Sequence, residues 1–95
     1  LDIDVVAVDT APMGVAVDAD ARRVYVANQV GTGGGNGGTV SVIDADTLAV
    51  TRLAVGGSPF GVAVNPVSGA VYVTSARSAG ELLVINPGTG AVQRR

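Results

Sequence analysis

An all-β repeat architecture is what this 95-residue sequence predicts, on three observations. The segment Pro12–Asn28 recurs at Pro59–Ser75 after 47 residues, with 8 of 17 paired positions identical. Thr39–Arg52 recurs at Glu81–Arg94 after 42 residues, with 6 of 14 identical. Within each copy valines alternate with small or polar residues, and nowhere does the pattern offer a capped helical face. A period in this range means one supersecondary unit stacked on copies of itself. The five-residue difference between the two shifts falls at the run Gly31–Gly38, present in the first copy alone.

The first unit resolves into four short strands. Met13–Asp18 alternates Val15 and Val17 with Gly14 and Ala16, and Arg23–Asn28 alternates Val24 and Val26 with Tyr25 and Ala27. Thr39–Asp44 and Leu48–Val55 complete the set. The second unit repeats them as Phe60–Asn65, Ala70–Ser75, Glu81–Asn86 and Gly90–Arg95. Period two and abundant valine favour strands, because branched side chains pack well on a pleated surface. Between strands stand Asp18-Ala19-Asp20, Asp44-Ala45-Asp46-Thr47, Asn65-Pro66 and Asn86-Pro87-Gly88. Their short acceptor side chains can bond the chain's own backbone two residues on, which makes turns. Gly56-Gly57-Ser58-Pro59 separates one unit from the next. The leading segment, residues 1–10, aligns with the fourth strand and its linker, Val6 over Leu53 and Val8 over Val55. The expected division is therefore residues 1–10 as the outer strand of a preceding unit, 11–57 as a first unit and 58–95 as a second with a truncated last strand.

Composition narrows the function classes. A 47% hydrophobic and 15% charged chain fits a packed fold and not a disordered one. The net charge is −2, and the six basic residues, all arginine, are scattered. Nucleic-acid binding needs a clustered positive face, so no nucleic-acid partner is expected. Zero cysteine removes disulfides and thiolate catalysis. No apolar run approaches the length of a membrane-spanning helix. The all-arginine bias is compatible with a GC-rich bacterial source.

Four antiparallel strands of five to eight residues, repeated every 42 to 47, predict two consecutive blades of a β-propeller. A blade buries both faces against its neighbours, which explains strands without a strongly polar side. Two blades cannot close a ring. Each end would leave a face of very roughly 500 Å² uncovered, worth on the order of 10 kcal/mol. The isolated chain is thus expected to self-associate or to be marginally folded.

Pro59-Phe-Gly-Val-Ala-Val-Asn-Pro66, then Val71-Tyr-Val-Thr-Ser75, then Leu82-Leu-Val-Ile-Asn86, resembles the YVTN-type β-propeller repeat. The first copy, with Val24-Tyr-Val-Ala-Asn28 and Thr39-Val-Ser-Val-Ile-Asp44, resembles it as well; it has Ala27 for Thr and carries the glycine run, while the second has Ser75 for Asn. The NHL-type repeat is the nearest alternative, and Val40-Ser-Val-Ile-Asp44 fits the YVTN type better. The resemblance implies a seven-bladed, often exported bacterial or archaeal propeller, hence about five further blades and a periplasmic, secreted or cell-surface location. It brings no catalytic motif, and many unrelated functions share propellers.

Candidate chemistry is sparse. The run Gly31–Gly38 lacks the following helix and lysine of a phosphate loop, and lacks the spaced aspartates of a calcium repeat. It reads as a loop insertion between second and third strands. In a four-stranded meander this loop shares one rim with Ala76–Gly80 and Gly56–Pro59, and the polar members of that rim are Gln29, Asn36, Ser58 and Arg77. These four are the candidate interaction residues, since loops are favoured functional positions. The pairs Asp18/Asp20 and Asp44/Asp46 belong to the opposite rim and lack the later ligands of a calcium loop, so they are read as turn formers. Ser41, Ser58, Ser68, Ser75 and Ser78 have no histidine to activate them. No catalytic, cofactor-binding or metal-ligating residue is assigned. The favoured reading is a non-enzymatic scaffold that meets a protein or surface partner through its rim loops. The alternative is part of a propeller enzyme (a lactonase, lyase or dehydrogenase) whose catalytic residues lie in other blades.

Overall fold

The structure, a computed structural model, describes residues 3–30, 37–76 and 80–94. Eight strands follow in order: β1 (Thr10–Asp18), β2 (Arg23–Val30), β3 (Thr39–Asp44), β4 (Val50–Ala54), β5 (Pro59–Val64), β6 (Val71–Ser75), β7 (Glu81–Asn86) and β8 (Ala91–Arg94). They form two four-stranded antiparallel meanders, β1-β2-β3-β4 and β5-β6-β7-β8. The chain is all-β, and no helix occurs among the described residues.

The strand limits follow local backbone chemistry. β4 and β8 begin later than the alternation predicts because Leu48 (φ 66°) and Gly90 (φ 75°) hold left-handed conformations that close the preceding turn. These are equivalent positions, as are Arg22 (φ 58°) and Gly69 (φ 77°) in the turns after β1 and β5. Each unit therefore needs the same two reversed residues, and the second supplies glycine at both. Both first strands also slip register at the same place, between Pro12 and Gly14 and between Pro59 and Val62. One extra residue enters there, next to a proline that cannot donate to the ladder. Residues 3–9, aligned in sequence with a fourth strand, are not in a strand.

Each sheet has two distinct faces. Cross-strand rows on the front of the first sheet are Ala16–Tyr25–Val42–Thr51 and Gly14–Ala27–Val40–Leu53. Its back carries Val15–Val26–Ser41–Arg52 and Val17–Val24–Ile43–Val50. The equivalent back rows of the second sheet are Val62–Val73–Leu83–Arg94 and Val64–Val71–Ile85–Val92. The core is where front meets back. Tyr25, Val40 and Val55 pack with Val71, Val73, Leu83 and Ile85, flanked by Val42, Leu53, Val62, Val64 and Val92. Each fully buried Val, Leu or Ile contributes about 1.5–3 kcal/mol.

The two sheets are not evenly spaced. β5 lies close against β1 and β2, with no comparable approach between outer strands among the described residues. Between the two first strands a Cβ added to Gly14 would stand 2.5 Å from the Phe60 carbonyl oxygen. Only glycine fits there. The pair is consequently a wedge, narrow at the first strands and opening outward.

Tyr25 carries a hydroxyl that is fully buried and has no hydrogen-bond partner. A buried polar group left unpaired costs about 1–3 kcal/mol, whereas its ring fills the centre of the core. Tyr25→Phe should therefore raise stability by about 1 kcal/mol in urea unfolding. Tyr25→Ala should lower it by about 3–5 kcal/mol.

Candidate interaction rim

The rim reached by the ends of β2, β4 and β6 is tied together by backbone bonds. Val55 and Gly56 donate N–H to the Gly38 carbonyl at 3.1 and 3.0 Å, and Gly38 donates to Gly57 at 3.3 Å. Gly37 bridges Gly57 in parallel. A Cβ on Gly38 would lie 2.1 Å from Pro59 Cδ, so this contact excludes every other residue. On the second unit Ala76 donates to the Ser58 carbonyl at 2.9 Å, and the Ser58 N–H donates to Ser75 Oγ at 3.1 Å. Ser58 and Gln29 both stand half-exposed on this rim, as the sequence places them. Asn36 and Arg77 lie outside the described residues.

Directly beneath the rim is a buried polar cluster that sequence reasoning missed. Asp9 is 7% exposed, although it precedes the first strand. One of its carboxylate oxygens accepts the Thr39 hydroxyl, and the other accepts Arg52 Nε at 2.7 Å. Asn28 Nδ2 donates to Ser41 Oγ at 3.0 Å and to Thr39 Oγ1 at 3.2 Å, so Thr39 relays between Asn28 and Asp9. Asn28 Oδ1 is buried with no partner. The cluster occupies the back of the first sheet. In the second unit its positions become Gly56, Ser75, Glu81 and Leu83, with Arg94 in place of Arg52. The available signal was this breakdown of the repeat, position after position at one place. The cluster is a latch: through Thr39 and Arg52, Asp9 fastens the segment before β1 to the back of the first sheet.

The opposite rim is built from side-chain turns. Asp44 Oδ1 accepts the N–H groups of Asp46 and Thr47 at 2.8 and 3.1 Å, and Thr47 Oγ1 accepts Ala49 at 3.2 Å. Asn65 and Ser68 repeat the arrangement, accepting from Val67, Ser68 and Ala70. Asn86 and Thr89 repeat it again, accepting from Gly88 and Ala91. Asp18 accepts the Ala21 N–H at 3.1 Å. The first two turns are clamped by Arg22, whose Nε donates to both Asp46 oxygens at 2.8 and 2.9 Å. This pair is exposed and screened by water, so it adds little stability. Asp46 first, and Asp44 more weakly, hold the Arg22 guanidinium protonated above its ordinary range. The N–H groups of Thr47 and then Asp46 hold the Asp44 carboxyl below the usual carboxylate value.

Two crevices open near these turns, each of about 310 Å³. One is lined by Arg23, Val42, Asp44, Ala49, Thr51 and Leu53, with Pro87 reaching in from the second unit. The other includes Ala70, Val84, Asn86, Ala91 and Gln93, the equivalent positions one unit on. They are the same notch seen twice, once roofed by the next turn and once not.

The chain matches no protein-family model and no curated protein in comparisons with known sequences.

Asp9→Ala removes the acceptor of Thr39 and Arg52 and should cost about 2 kcal/mol in chemical denaturation, the usual worth of a hydrogen bond to a charged group. Asp44 has a folded pKa below its unfolded one, so its contribution is complete above the unfolded value and disappears as pH falls through the folded value. An NMR titration should therefore place the Asp44 midpoint below that of an exposed aspartate. Asp44→Asn, the residue type already used at Asn65 and Asn86, should keep the turn and abolish that acid-dependent step.

Proposed function

We propose that this chain is a pair of consecutive blades from a YVTN-type β-propeller, acting as a non-enzymatic scaffold that presents one rim to a protein or surface partner outside the cytoplasm. The observation that carries the reading is the front-to-back stacking of two equivalent sheets, closest at their first strands. A head-to-tail contact of this kind repeats: the face each unit offers differs from the face it receives. Repetition of a wedge turns about an axis beside the narrow edge, and a closed circle of four-stranded sheets is a propeller.

The rim reading rests on geometry of a different sort. The glycine-loop rim is where the loops differ in sequence between units, while the other rim repeats one compact turn closed by a side-chain oxygen. Gln29 and Ser58 are displayed on a scaffold fixed by backbone bonds, the arrangement in which loops serve recognition. Sequence differences there alter contacts without altering the strands.

The test is site-specific photo-crosslinking in the protein's own cells. A photoreactive residue at Gln29 or Ser58 should yield the same discrete partner adduct, while Asp20 and Thr47, on the far rim, should yield none. Equal labelling from both rims, or from neither, would overturn the rim assignment.

A further inference from the structure

The two end faces of the molecule are complementary to each other, and we propose that they bind: copies of this chain associate head to tail, the front of the second sheet of one copy covering the back of the first sheet of the next. Each face can be compared with its own equivalent inside the same molecule. On the back of the second sheet Val71 and Val73 are completely buried, and Val62 and Val64 are packed against the core. On the back of the first sheet the same positions are Val24 and Val26, half-exposed, and Val15 and Val17, 65% and 63% exposed. On the front of the first sheet Tyr25, Ala27 and Val40 are completely buried. Their equivalents on the second front are Tyr72, half-exposed, Thr74, exposed, and Leu82, 38% exposed.

The internal interface thus shows what covers such a face: a front of the Tyr-Val kind covers a back of the Val-Val kind. The same molecule displays one open example of each. Neither face matches itself, because the front carries a tyrosine row and the back carries paired valines with no large ring. An isologous dimer would set like against like, without the ring-into-valine packing already present in the core. The unroofed notch at Val84, Asn86 and Gln93 points the same way, since its twin is roofed by Pro87 of the following unit. In a second copy the turn that arrives there is the one containing Ala45, leaving room. The free part of the receiving back face is its β1–β2 half, because Asp9 is seated against Thr39 and Arg52 on the β3–β4 side. Charge does not oppose the contact on this half: Val15, Val17, Val24 and Val26 face Ala63, Tyr72 and Val84 with no ionised group among them, and Arg52, at the far end of the Val15 row, is paired with Asp9.

This pairing rests on the stacking mode in the proposed function and not on ring closure or the rim. An open-ended series of copies would support it while removing the closed circle.

The experiment uses the full 95-residue chain and two variants. One blocks the front with Thr74→Glu and Leu82→Glu, and the other blocks the back with Val15→Glu and Val17→Glu. All four positions are exposed, so the sheets should remain folded by circular dichroism. In sedimentation velocity the unaltered chain should grow with concentration beyond the monomer. Each variant alone should be monomeric, with association weakened at least about tenfold by charges buried against apolar surface. Mixed, they should form a one-to-one dimer that grows no further, since one supplies an open back and the other an open front. A monomeric unaltered chain would overturn the proposal. So would a folded front-blocked variant that still dimerises by itself, or two folded variants that fail to pair on mixing.

Discussion

The packing of the Tyr25 face against the Val71 and Val73 face is the contact on which the rest of the structure depends. It contains nearly all the fully buried apolar side chains, and every other feature adapts to it. Gly14 exists to let the first strands approach. The bulges beside Pro12 and Pro59 reset the register of each first strand at the close edge. The linker from Val55 to Ser58 must carry the chain from the outer strand of one sheet to the inner strand of the next. It does so with Val55 turned into the core and Gly56 and Gly57 in left-handed conformations. A small protein normally closes around one core. Here the core lies between two sheets, and each sheet keeps a second apolar side.

The strands and their order were legible because valine alternation and the internal repeat pointed to the same answer. The turns were legible too: Asp44, Asn65 and Asn86 hold backbone N–H groups as their residue types suggested. What could not be read was the identity of the buried polar cluster. Asp9, Asn28, Thr39 and Ser41 are unremarkable one at a time, and their spacing matches no local motif. They meet only because the segment before β1 folds onto β3 and β4, a long-range event with no periodicity. The left-handed Arg22 and Leu48 were equally hidden, since glycine marks that geometry only in the second unit. Gln29 and Ser58 stand where the meander put them, but a rim position states accessibility and not the chemistry of what is recognised.

The two units have diverged in a physically coherent way. The second uses glycine at both reversed turn positions and leucine in the core, and needs no ion pair between its turns. The first carries side chains at φ above zero in Arg22 and Leu48, closes those turns through Asp18 and Asp44, and fixes its leading segment through Asp9. One backbone plan is thus held by glycine and apolar contacts in one place and by polar fastening in the other. Conformational strain of about 1–3 kcal/mol at a left-handed non-glycine residue persists only where surroundings hold it.

Gly38 joins the two units at a single backbone position. It is gripped by Val55, Gly56 and Gly57 and pressed on Pro59, while Val30 on the other side is paired with Thr10. The ends of β2 and β3 are therefore pinned separately, one to the first strand of its own sheet and the other to the crossover into the next. Gly38 is thus a rivet between the sheets: its carbonyl holds the end of the outer strand of one while its Cα rests on the proline that opens the inner strand of the next.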